Sequence, residues 1–420
     1  MSGSPPDVLV IGGGPAGSTA ATLIARQGRR VLLLERERFP RFHIGESLMP
    51  ATYWSFERLG LLDPMKASAY PRKHSVQFFS RDGRASAPFY FSEVDPHECS
   101  VTWQVDRGPF DRMLLDHACE NGVDVRQEAN VKEVLFEGDR ATGALVEYAT
   151  GGRERIPARV IVDASGQTAL LGRKFGLKQL DPLLRHAAVF TRFRGARRDP
   201  GIDGGATLVL RVRNSVAWFW FIPLPDDVVS IGVVGPLGYL LRDRSNDPQA
   251  IFAEEVERCP PLRERIAGAP QVAEMRVLRD FSYISRRIAG HGWVMAGDAF
   301  GFLDPLYSTG VLLAFTSAEF AADAVAEAFR TQDFSAAVLG RHGPRYVAGM
   351  EALRKLVYAY YDESFSVARF LKRHPQFRDH VVNLLTGNVF RVPVDALFEA
   401  MGREIALPAP RSLLPVSEPG

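Results

Sequence analysis

The chain has 420 residues, 46% of them hydrophobic and 24% charged, which is ordinary for a globular protein of two or three domains. A net charge of only +2 argues against a nucleic-acid partner and against a membrane surface, and no uninterrupted apolar run reaches membrane-spanning length. The three cysteines, Cys99, Cys119 and Cys259, share no metal-ligand spacing, and the first six residues lack the features of a signal peptide. We therefore expect a cytoplasmic protein without a metal site.

The first elements in the chain are an apolar strand, a glycine turn and a small-residue helix at residues 18–26. In a dinucleotide-binding turn, Gly12 permits the sharp bend, Gly14 lets backbone amides approach a pyrophosphate, and Gly17 lets the helix pack on the strand. The N-terminus of that helix favours the negative phosphates. The residues of this turn that we expect at the ligand are Gly12, Gly14, Pro15, Ala16 and Gly17.

A second apolar strand, at residues 31–34, ends in Glu35, roughly twenty residues beyond the glycines. A carboxylate at that place can accept hydrogen bonds from ribose hydroxyls, and we include the adjacent Arg36 in the predicted site. A purely structural glycine-rich turn is the alternative. The flanking strands, the helix and the closing acid favour the dinucleotide site.

The turn Gly45-Glu46-Ser47 comes shortly before a helix predicted at residues 52–61. It offers backbone amides and a hydroxyl to the polar edge of a ligand. On its own, the same turn is equally well interpreted as a helix N-cap.

Further along the chain, alternating strands and helices give way to consecutive strands. Strands are predicted at residues 73–80, 89–91, 101–105, 123–126, 131–136 and 159–162, with a helix that begins near residue 106 and ends near 120. A run of strands at residues 187–194, 207–213, 216–222 and 228–234 indicates an antiparallel sheet. Later predictions are a helix at 248–267, strands at 277–283 and 291–295, a long helix at 312–330, and mostly helix from there to 397.

This pattern predicts an α/β protein with three parts. A Rossmann-like domain is predicted from residues 1–72, 105–185 and 284–335; an antiparallel β-sheet domain on the substrate side from 73–104 and 186–283; and a C-terminal helical region from 336–420. Strands lead into glycine turns at residues 12–17, 163–166 and 297–298. We therefore expect one elongated ligand that is contacted along its length.

These turns, together with Glu35, the Gly45-Glu46-Ser47 turn and Arg107, resemble the FAD domain of the aromatic-hydroxylase-like flavoproteins. Over nearly its whole length the chain looks most like the flavin-dependent halogenases. That narrower resemblance rests on Lys73, on Trp218-Phe219-Trp220-Phe221-Ile222-Pro223, and on Asp304-Pro305-Leu306-Tyr307-Ser308-Thr309-Gly310.

The resemblance implies a function for each motif. Reduced FAD, oxygen and chloride or bromide would yield hypohalous acid, which Lys73 holds by a hydrogen bond or as a haloamine and aims at an electron-rich aromatic substrate. The halide site would be Thr309 and Gly310, and the motif that screens substrate from the flavin would be Trp218, Trp220, Ile222 and Pro223. The implied FAD residues are Gly12, Gly14, Pro15, Ala16, Gly17, Glu35, Arg36, Gly45, Glu46, Ser47, Arg107, Asp298, Pro305 and Gly310.

Each halogenase motif also has an ordinary structural interpretation. Trp218 and Trp220 project to one face of a strand, where an aromatic pair usually belongs to the core. Lys73 would ordinarily be an exposed lysine at a strand end, apart from the cofactor turns. The Ser308-Thr309-Gly310 turn would also serve as a cap for the following helix.

One departure from the family pattern bears on the substrate. Tryptophan-type members carry a glutamate just before the Ser-Thr-Gly turn, where this chain has Tyr307. We therefore expect a phenol or pyrrole, free or tethered to an acyl carrier protein, rather than free tryptophan. Basic residues in the C-terminal region are candidates to hold such a carrier: Arg341, Arg345, Arg354, Lys355, Arg369, Lys372, Arg373 and Arg378.

A second glycine cluster for a nicotinamide is absent from the sequence, so we expect reduced FAD to come from a separate flavin reductase. Other functions remain open at this stage. A non-halogenating FAD-dependent monooxygenase or a reductase of isoprenoid chains would share the FAD domain. A flavin-binding protein that has lost catalysis is the third alternative.

Overall fold

The computed structural model describes residues 4–242, 244–279 and 281–414, so the first three residues of the predicted FAD domain and the last six of the predicted C-terminal region lie outside it. The described strands are β1 (Val8–Ile11), β2 (Val31–Leu34), β3 (Arg72–Lys73), β4 (Ser75–Phe79), β5 (Phe89–Tyr90), β6 (Thr102–Trp103), β7 (Asp124–Arg126), β8 (Ala129–Glu137), β9 (Arg140–Tyr148), β10 (Arg153–Pro157), β11 (Val160–Asp163), β12 (Lys178–Leu180), β13 (His186–Arg194), β14 (Thr207–Arg211), β15 (Trp218–Pro223), β16 (Val228–Pro236), β17 (Arg276–Arg279), β18 (Tyr283–Ser285), β19 (Ala289–Gly290), β20 (Trp293–Met295) and β21 (Gly301–Phe302).

The described helices are α1 (Pro15–Arg26), α2 (Thr52–Leu59), α3 (Leu62–Ala67), α4 (Arg107–Glu120), α5 (Leu170–Lys174), α6 (Leu237–Leu241), α7 (Pro248–Glu257), α8 (Pro260–Ile266), α9 (Gly310–Thr331), α10 (Ala336–Leu339), α11 (Gly343–Tyr361), α12 (Val367–Arg373), α13 (Arg378–Thr386) and α14 (Asp395–Met401). Within the part of the chain that the structure describes, no helix is both long enough and apolar enough to span a membrane.

A mostly parallel sheet forms the core of the nucleotide-binding half. Its strand order is β19-β20-β11-β1-β2-β7, and β1 pairs in parallel with both β2 and β11. The central strands are fully buried apolar runs, as expected where helices cover both faces of a parallel sheet. Helix α1 packs against α4 and α9. The carboxyl ends of β1, β2 and β11 therefore meet at one edge, where ligands of such sheets bind.

A seven-stranded sheet stands beside the parallel sheet, in the order β17-β13-β16-β15-β14-β4-β5. Its strands pair antiparallel except for β14 and β4, which run in parallel. Phe219 and Phe221 project into an apolar cluster with residues of α7 and α8, and Trp218 and Trp220 project into a separate cluster on the other face. The predicted α/β class, with a Rossmann-like part, an antiparallel sheet and C-terminal helices, is confirmed.

Several predicted elements are wrong in detail. The strand expected at 73–80 divides at His74: Arg72–Lys73 pairs with β6 in a two-stranded sheet, whereas Ser75–Phe79 joins the seven-stranded sheet. The strand expected at 277–283 likewise divides between the seven-stranded sheet and a three-stranded sheet, β12-β18-β21. The helix expected at 248–267 is two helices, because Pro260 has no amide hydrogen to continue the first and instead begins the second. The hairpin strands β9 and β10 were not predicted.

Candidate active site

The glycine turn after β1 has the geometry that a dinucleotide requires. Gly12 has a φ of +100°, and a Cβ there would lie 2.4 Å from the carbonyl oxygen of Ala164. A Cβ on Gly17 would lie 1.8 Å from the carbonyl oxygen of Gly12, so only glycine lets α1 approach the strand so closely. A Cβ on Gly14 would meet only the Arg41 guanidinium, at 3.6 Å, so this part of the turn is open to a ligand.

The acid at the end of β2 is fixed by backbone amides. Gly13 N donates to Glu35 Oε2 at 2.6 Å, and Glu37 N donates to Oε1 at 2.8 Å. Each carboxylate oxygen keeps a further lone pair for a ribose hydroxyl. The side chain of Arg36 donates from Nη1 to Thr168 Oγ1 at 3.0 Å, which links this edge to the turn after β11.

A cavity of about 660 Å³ runs from this edge to the seven-stranded sheet. Most of the predicted site residues line it together: Gly12, Gly14, Pro15, Ala16, Glu35, Arg36, Gly45, Glu46, Ser47, Arg107, Trp218, Trp220, Ile222, Asp298, Pro305, Thr309 and Gly310. Three predicted residues are not part of the lining. Gly17 lies under the turn, Pro223 ends β15, and Lys73 is covered by its neighbours.

Arg107 organises the middle of the cavity. Its guanidinium forms a buried ion pair with Asp111 at 2.7 Å and donates from Nη1 to the Ile44 carbonyl oxygen at 2.7 Å. A Cβ on Gly45, whose φ is +100°, would lie 2.9 Å from that guanidinium. Across the cavity, burial raises the pKa of Asp298 to about 7, although the positive charge of Arg107 acts in the opposite direction.

The Gly45-Glu46-Ser47 turn does not cap a helix. Helix α2 begins at Thr52, and its N-cap, Ala51, makes no side-chain bond. Glu46 instead accepts hydrogen bonds from Arg192 Nη2 at 3.1 Å and from Ser230 Oγ at 3.1 Å, and burial raises the pKa of its carboxyl. The indole Nε1 of Trp220 donates to Ser230 Oγ at 3.2 Å, so the turn is connected to the second tryptophan of the motif.

Lys73 is buried rather than exposed, with only 4% of its surface accessible. Its Nζ donates to Ser47 Oγ at 2.9 Å and to the Leu48 carbonyl oxygen at 3.0 Å. The ordinary interpretation of Lys73 as an exposed lysine at a strand end is therefore wrong, and its contact with Ser47 connects it to the Gly45-Glu46-Ser47 turn. Burial lowers the pKa of this amine to about 7.

Trp218 and Trp220 are both core residues and cavity residues. Their ring centroids are 6.5 Å apart, and both pack against Phe190, Val209 and Leu306 in one apolar cluster while also facing the cavity. The interpretation of the pair as ordinary core residues is therefore correct for their packing but misses their contact with the cavity. The pair forms an apolar wall across one end of the cavity.

The Ser-Thr-Gly turn places an open helix N-terminus at the cavity. Helix α9 begins at Gly310, and Thr309, in the N-cap position, makes no side-chain capping bond. The buried hydroxyl of Thr309 has no hydrogen-bond partner within the described residues. A cap is therefore not the function of this hydroxyl, and an anion would satisfy both it and the free amides.

Comparison with known proteins gives the site its context. Residues 6–330 match the family model of the FAD binding domain. The chain is 31% identical over 415 residues to the 1H-pyrrole-2-carbonyl peptidyl-carrier protein chlorinase of Pseudomonas fluorescens, covering 93% of this chain and 91% of that one. It is 32% identical over 393 residues to the corresponding brominase of Pseudoalteromonas luteoviolacea, covering 91% and 92%. The solved flavin-dependent brominase Bmp2 superposes with a TM-score of 0.86 at 31% identity, covering 95% of this chain and 98% of Bmp2.

The chain belongs to the flavin-dependent halogenases. The halogenase is an enzyme that uses FAD, oxygen and a halide. The alternatives left open by the sequence, a non-halogenating monooxygenase, an isoprenoid-chain reductase and a non-catalytic flavin-binding protein, are set aside. The open glycine turn, the fixed acid and the size of the cavity fit this cofactor.

The halogenase also has site residues that the sequence did not reveal. Thr207, on β14, shares hydrogen bonds with Ser47 at 2.9 Å and with Gln104 Nε2 at 2.8 Å, and thus supports the serine that holds Lys73. Asp304 begins the motif at residues 304–310 but was not predicted to have a function of its own. In the structure it bonds to His186 and Tyr361. A signal for these partners is absent from the sequence, because each contact joins positions more than fifty residues apart.

Proposed function

We propose that the halogenase transfers chlorine or bromine to a pyrrole or phenol ring that is carried on an acyl carrier protein. The observation that carries this proposal is full-length similarity to two relatives named for a pyrrole-2-carbonyl group on a peptidyl-carrier protein. Tyr307, where tryptophan-type members have an acid, supports the same choice, because burial among aromatic side chains raises the pKa of its phenol and leaves no charge for an amino group.

The cofactor residues are assigned by their geometry. The turn from Gly12 to Gly17 and the N-terminus of α1 would hold the pyrophosphate of FAD, and Glu35 and Arg36 would hold its ribose end. Asp298 and the Gly45-Glu46-Ser47 turn would line the flavin end, with Arg107 between them. When bound, reduced FAD supplies, together with oxygen, the oxidising equivalent that converts halide to hypohalous acid.

The halide is assigned to Thr309 and Gly310. The free amides at the start of α9 point their partial positive charge at the cavity, and the unpartnered Thr309 hydroxyl adds a donor. Trp218 and Trp220 form an apolar wall of the same cavity, in one cluster with Leu306. The tryptophan wall would also keep the aromatic substrate away from the flavin, so that only the small oxidant passes.

Lys73 would carry the halogen to the substrate. A neutral amine has two N–H groups, and here both are taken by Ser47 Oγ and the Leu48 carbonyl oxygen, which leaves the lone pair free. That lone pair can take the halogen from hypohalous acid while one N–H proton leaves with the hydroxide as water, and the ring then takes the halogen as its own proton returns to the nitrogen. In the ammonium form, the same nitrogen can donate a hydrogen bond that activates the oxidant.

The carrier surface is narrower than the eight basic residues suggested by the sequence. Arg354 is buried, and Arg341, Arg373 and Arg378 pair with Glu327, Glu404 and Glu93. Arg345, Lys355, Arg369 and Lys372 make no ion pair within the described ranges. Arg369 and Lys372 lie exposed on α12, and we assign the acidic carrier to this helix.

The second partner we assign is a separate flavin reductase that delivers reduced FAD. The support is the single dinucleotide fingerprint of the sequence, at residues 12–17. With the purified halogenase alone, NADPH is expected to leave bound FAD oxidised over the time in which an added reductase reduces it fully.

The substrate is tested by mass spectrometry after incubation with FAD, a reductase, oxygen and chloride or bromide. Pyrrole-2-carboxyl and hydroxybenzoyl groups are offered both as free acids and on a carrier protein. Halogenation of the carrier-bound form alone is the expected result. Equal turnover of the free acid would remove the carrier from the proposal.

The docking surface is tested by the double variant Arg369→Glu, Lys372→Glu. Loss of electrostatic steering is expected to raise KM for the carrier-bound substrate about tenfold, with kcat unchanged. The matched control is Arg213→Glu, which reverses an exposed charge in the loop after β14. An equal effect of both changes would point to overall charge rather than to α12.

A further inference from the structure

Tyr361 is the last residue of α11 and the point where the C-terminal helices touch the tryptophan wall. The indole Nε1 of Trp218 donates to the Tyr361 hydroxyl at 2.8 Å. That hydroxyl donates to Asp304 Oδ2 at 3.1 Å, and His186 Nδ1 lies 2.8 Å from the same oxygen. Trp218 and Asp304 are both fully buried, with at most 1% of their surfaces exposed.

The direction of each bond in this chain is fixed by chemistry. An indole N–H can only donate, so the Tyr361 oxygen must accept from it. The single hydroxyl proton is then available for the carboxylate of Asp304, and burial raises the pKa of Tyr361, which keeps that proton in place. A phenylalanine at this position would leave the buried Trp218 N–H without its partner, while Asp304 would lose one of its hydrogen bonds and keep those to His186 and the Leu306 amide.

Asp304 extends the chain of bonds to the proposed halide turn. Its Oδ1 accepts from the Leu306 amide at 3.1 Å, as the cap of the short 3-10 helix Pro305–Tyr307. Ser308, Thr309 and Gly310 follow directly, and Pro305, Leu306 and Thr309 line the cavity. One hydroxyl on α11 therefore connects the Trp218 ring with the segment that leads to the start of α9.

We propose that Tyr361 is a positioning residue of the halogenation reaction, a latch by which the C-terminal helix holds the Trp218 ring in register with the segment 304–310. The inference rests on the proposed function, in which Trp218 and Trp220 separate the oxidant from the substrate. With the latch open, the indole loses its fixed orientation and oxidant leaks past the wall. The expected symptom is poor coupling rather than loss of FAD binding.

A neighbouring tyrosine on α11 provides a matched control. The hydroxyl of Tyr358 also donates to a buried carboxylate, Asp181 Oδ1, at 2.7 Å, but it does not reach Trp218. A change of Tyr358 to Phe therefore has the same chemistry and the same helix as a change of Tyr361, without the connection to the wall.

The test compares the full-length variants Tyr361→Phe, Tyr358→Phe and Trp218→Phe. Coupling is measured as halogenated product per reduced FAD consumed, and leaked hypohalous acid is measured with a trapping reagent. Tyr361→Phe is expected to lower coupling at least about fivefold, the factor set by one buried donor left unsatisfied. Tyr358→Phe is expected to keep parental coupling. FAD affinity and the rate of flavin oxidation should match the parent in both.

A spectroscopic readout separates positioning from general damage. The chain has five tryptophans, so its ¹⁵N spectrum has few indole signals, and Trp218→Phe identifies the signal of Trp218 by its loss. That signal is expected to move in Tyr361→Phe and to stay in Tyr358→Phe. If Tyr361→Phe keeps parental coupling while Trp218→Phe lowers it, the proposed role of Tyr361 is wrong and the role of the tryptophan wall stands. Parental coupling in Trp218→Phe would overturn the tryptophan wall and the latch with it.

Discussion

Lys73 differs from an ordinary strand lysine in its surroundings rather than in its sequence. It is buried between Ser47 and the Leu48 carbonyl oxygen, and its Nζ lies 5.5 Å from the Phe91 ring centroid. A carboxylate partner is absent among the hydrogen bonds described for this amine. Burial without a counter-charge is the condition under which a lysine becomes neutral near physiological pH.

The first prediction is that Lys73→Ala abolishes halogenation while flavin chemistry continues. One lost donor in this buried site corresponds to roughly 2.7–4 kcal/mol, or about two to three decades in rate. Product formation and the oxidation rate of reduced FAD are measured side by side. Because Lys73 touches Ser47, the volume-preserving Lys73→Met is the companion variant, and its FAD affinity is expected to match the parent. Halogenation by Lys73→Ala at the parental rate would show that Lys73 has only a structural role.

The second prediction concerns pH. The folded pKa of Lys73 is lowered from 10.5 to about 7, so the unfolded chain binds more protons between these values and the stability contributed at this site rises with pH. The burial penalty is fully present below pH 7. We expect the stability gained by Lys73→Met, measured by urea denaturation, to be largest below pH 7 and to shrink toward pH 10.5.

In the proposed mechanism the neutral amine accepts the halogen, so the halogenation rate should rise as the pH passes through about 7 and level off above it. Asp298, whose pKa is also raised to about 7, titrates in the same window, so activity alone does not identify the group. The pH dependence of the stability difference between Lys73→Met and the parent shows whether Lys73 is the group that titrates. A difference that is constant between pH 6 and pH 10 would contradict the lowered pKa of Lys73.

Among the secondary-structure elements, β15 and β16 set the position of the tryptophan wall. Trp220 lies directly opposite Gly232 in the antiparallel register. A Cβ on Gly232 would lie 2.3 Å from Cζ2 of Trp220 and 2.5 Å from Cβ of Phe190. The large ring thus occupies the space that the glycine leaves on the neighbouring strand.

The third prediction is that Gly232→Ala displaces the Trp220 ring. Overpacking of this kind costs about 1–3 kcal/mol of unfolding free energy, and the displaced wall should also lower the coupling of flavin oxidation to halogenation. The control is Gly235→Ala on the same strand, where the nearest atom to the new Cβ, Ala217 Cβ, is 3.2 Å away. Equal stability and coupling of the two variants would show that Trp220 adjusts without consequence.

In the molecule as a whole, a buried ion cluster anchors the C-terminal helices. Arg354, on α11, bonds to Glu351 on the same helix at 2.5 Å and to Asp181, after β12, at 3.3 Å. Arg411, in the C-terminal segment, bonds to Glu351 at 2.8 Å. The cluster therefore joins α11 to the loop beside β13 on one side and to the end of the described chain on the other.

The fourth prediction is that Arg354→Ala destabilises the protein by about 3–5 kcal/mol, because two buried carboxylates lose their buried counter-charge and keep only the more exposed Arg411 beside them. Urea denaturation followed by circular dichroism measures the change. Arg373→Ala, which removes an exposed ion pair with Glu404, is the control and should cost no more than about 1 kcal/mol. Similar losses for both arginines would mean that Arg354 is solvated in solution.

Features that depend on local chain geometry could be predicted from the amino-acid sequence alone. The glycines at 12–17 follow from backbone sterics, the place of Glu35 follows from the length of the first helix and strand, and the shared face of Trp218 and Trp220 follows from strand alternation. The resemblance to the halogenases rested on those same local patterns. The breaks at His74 and Pro260 were missed because a strand or helix pattern does not record where the chain changes sheet or helix.

The surroundings of each of these side chains depend on the folded arrangement of distant segments. The sequence gives Lys73 a strand position, but its burial depends on Ser47 and Phe91 being folded over it. Arg354 was likewise predicted to hold the carrier protein although it is buried in an ion cluster, and no sequence pattern connects Tyr361 with Trp218. The physical reason is common to all three. Desolvation, charge pairing and hydrogen bonding act over a few ångströms in space between residues that are tens to hundreds of positions apart, and no local pattern encodes such a distance.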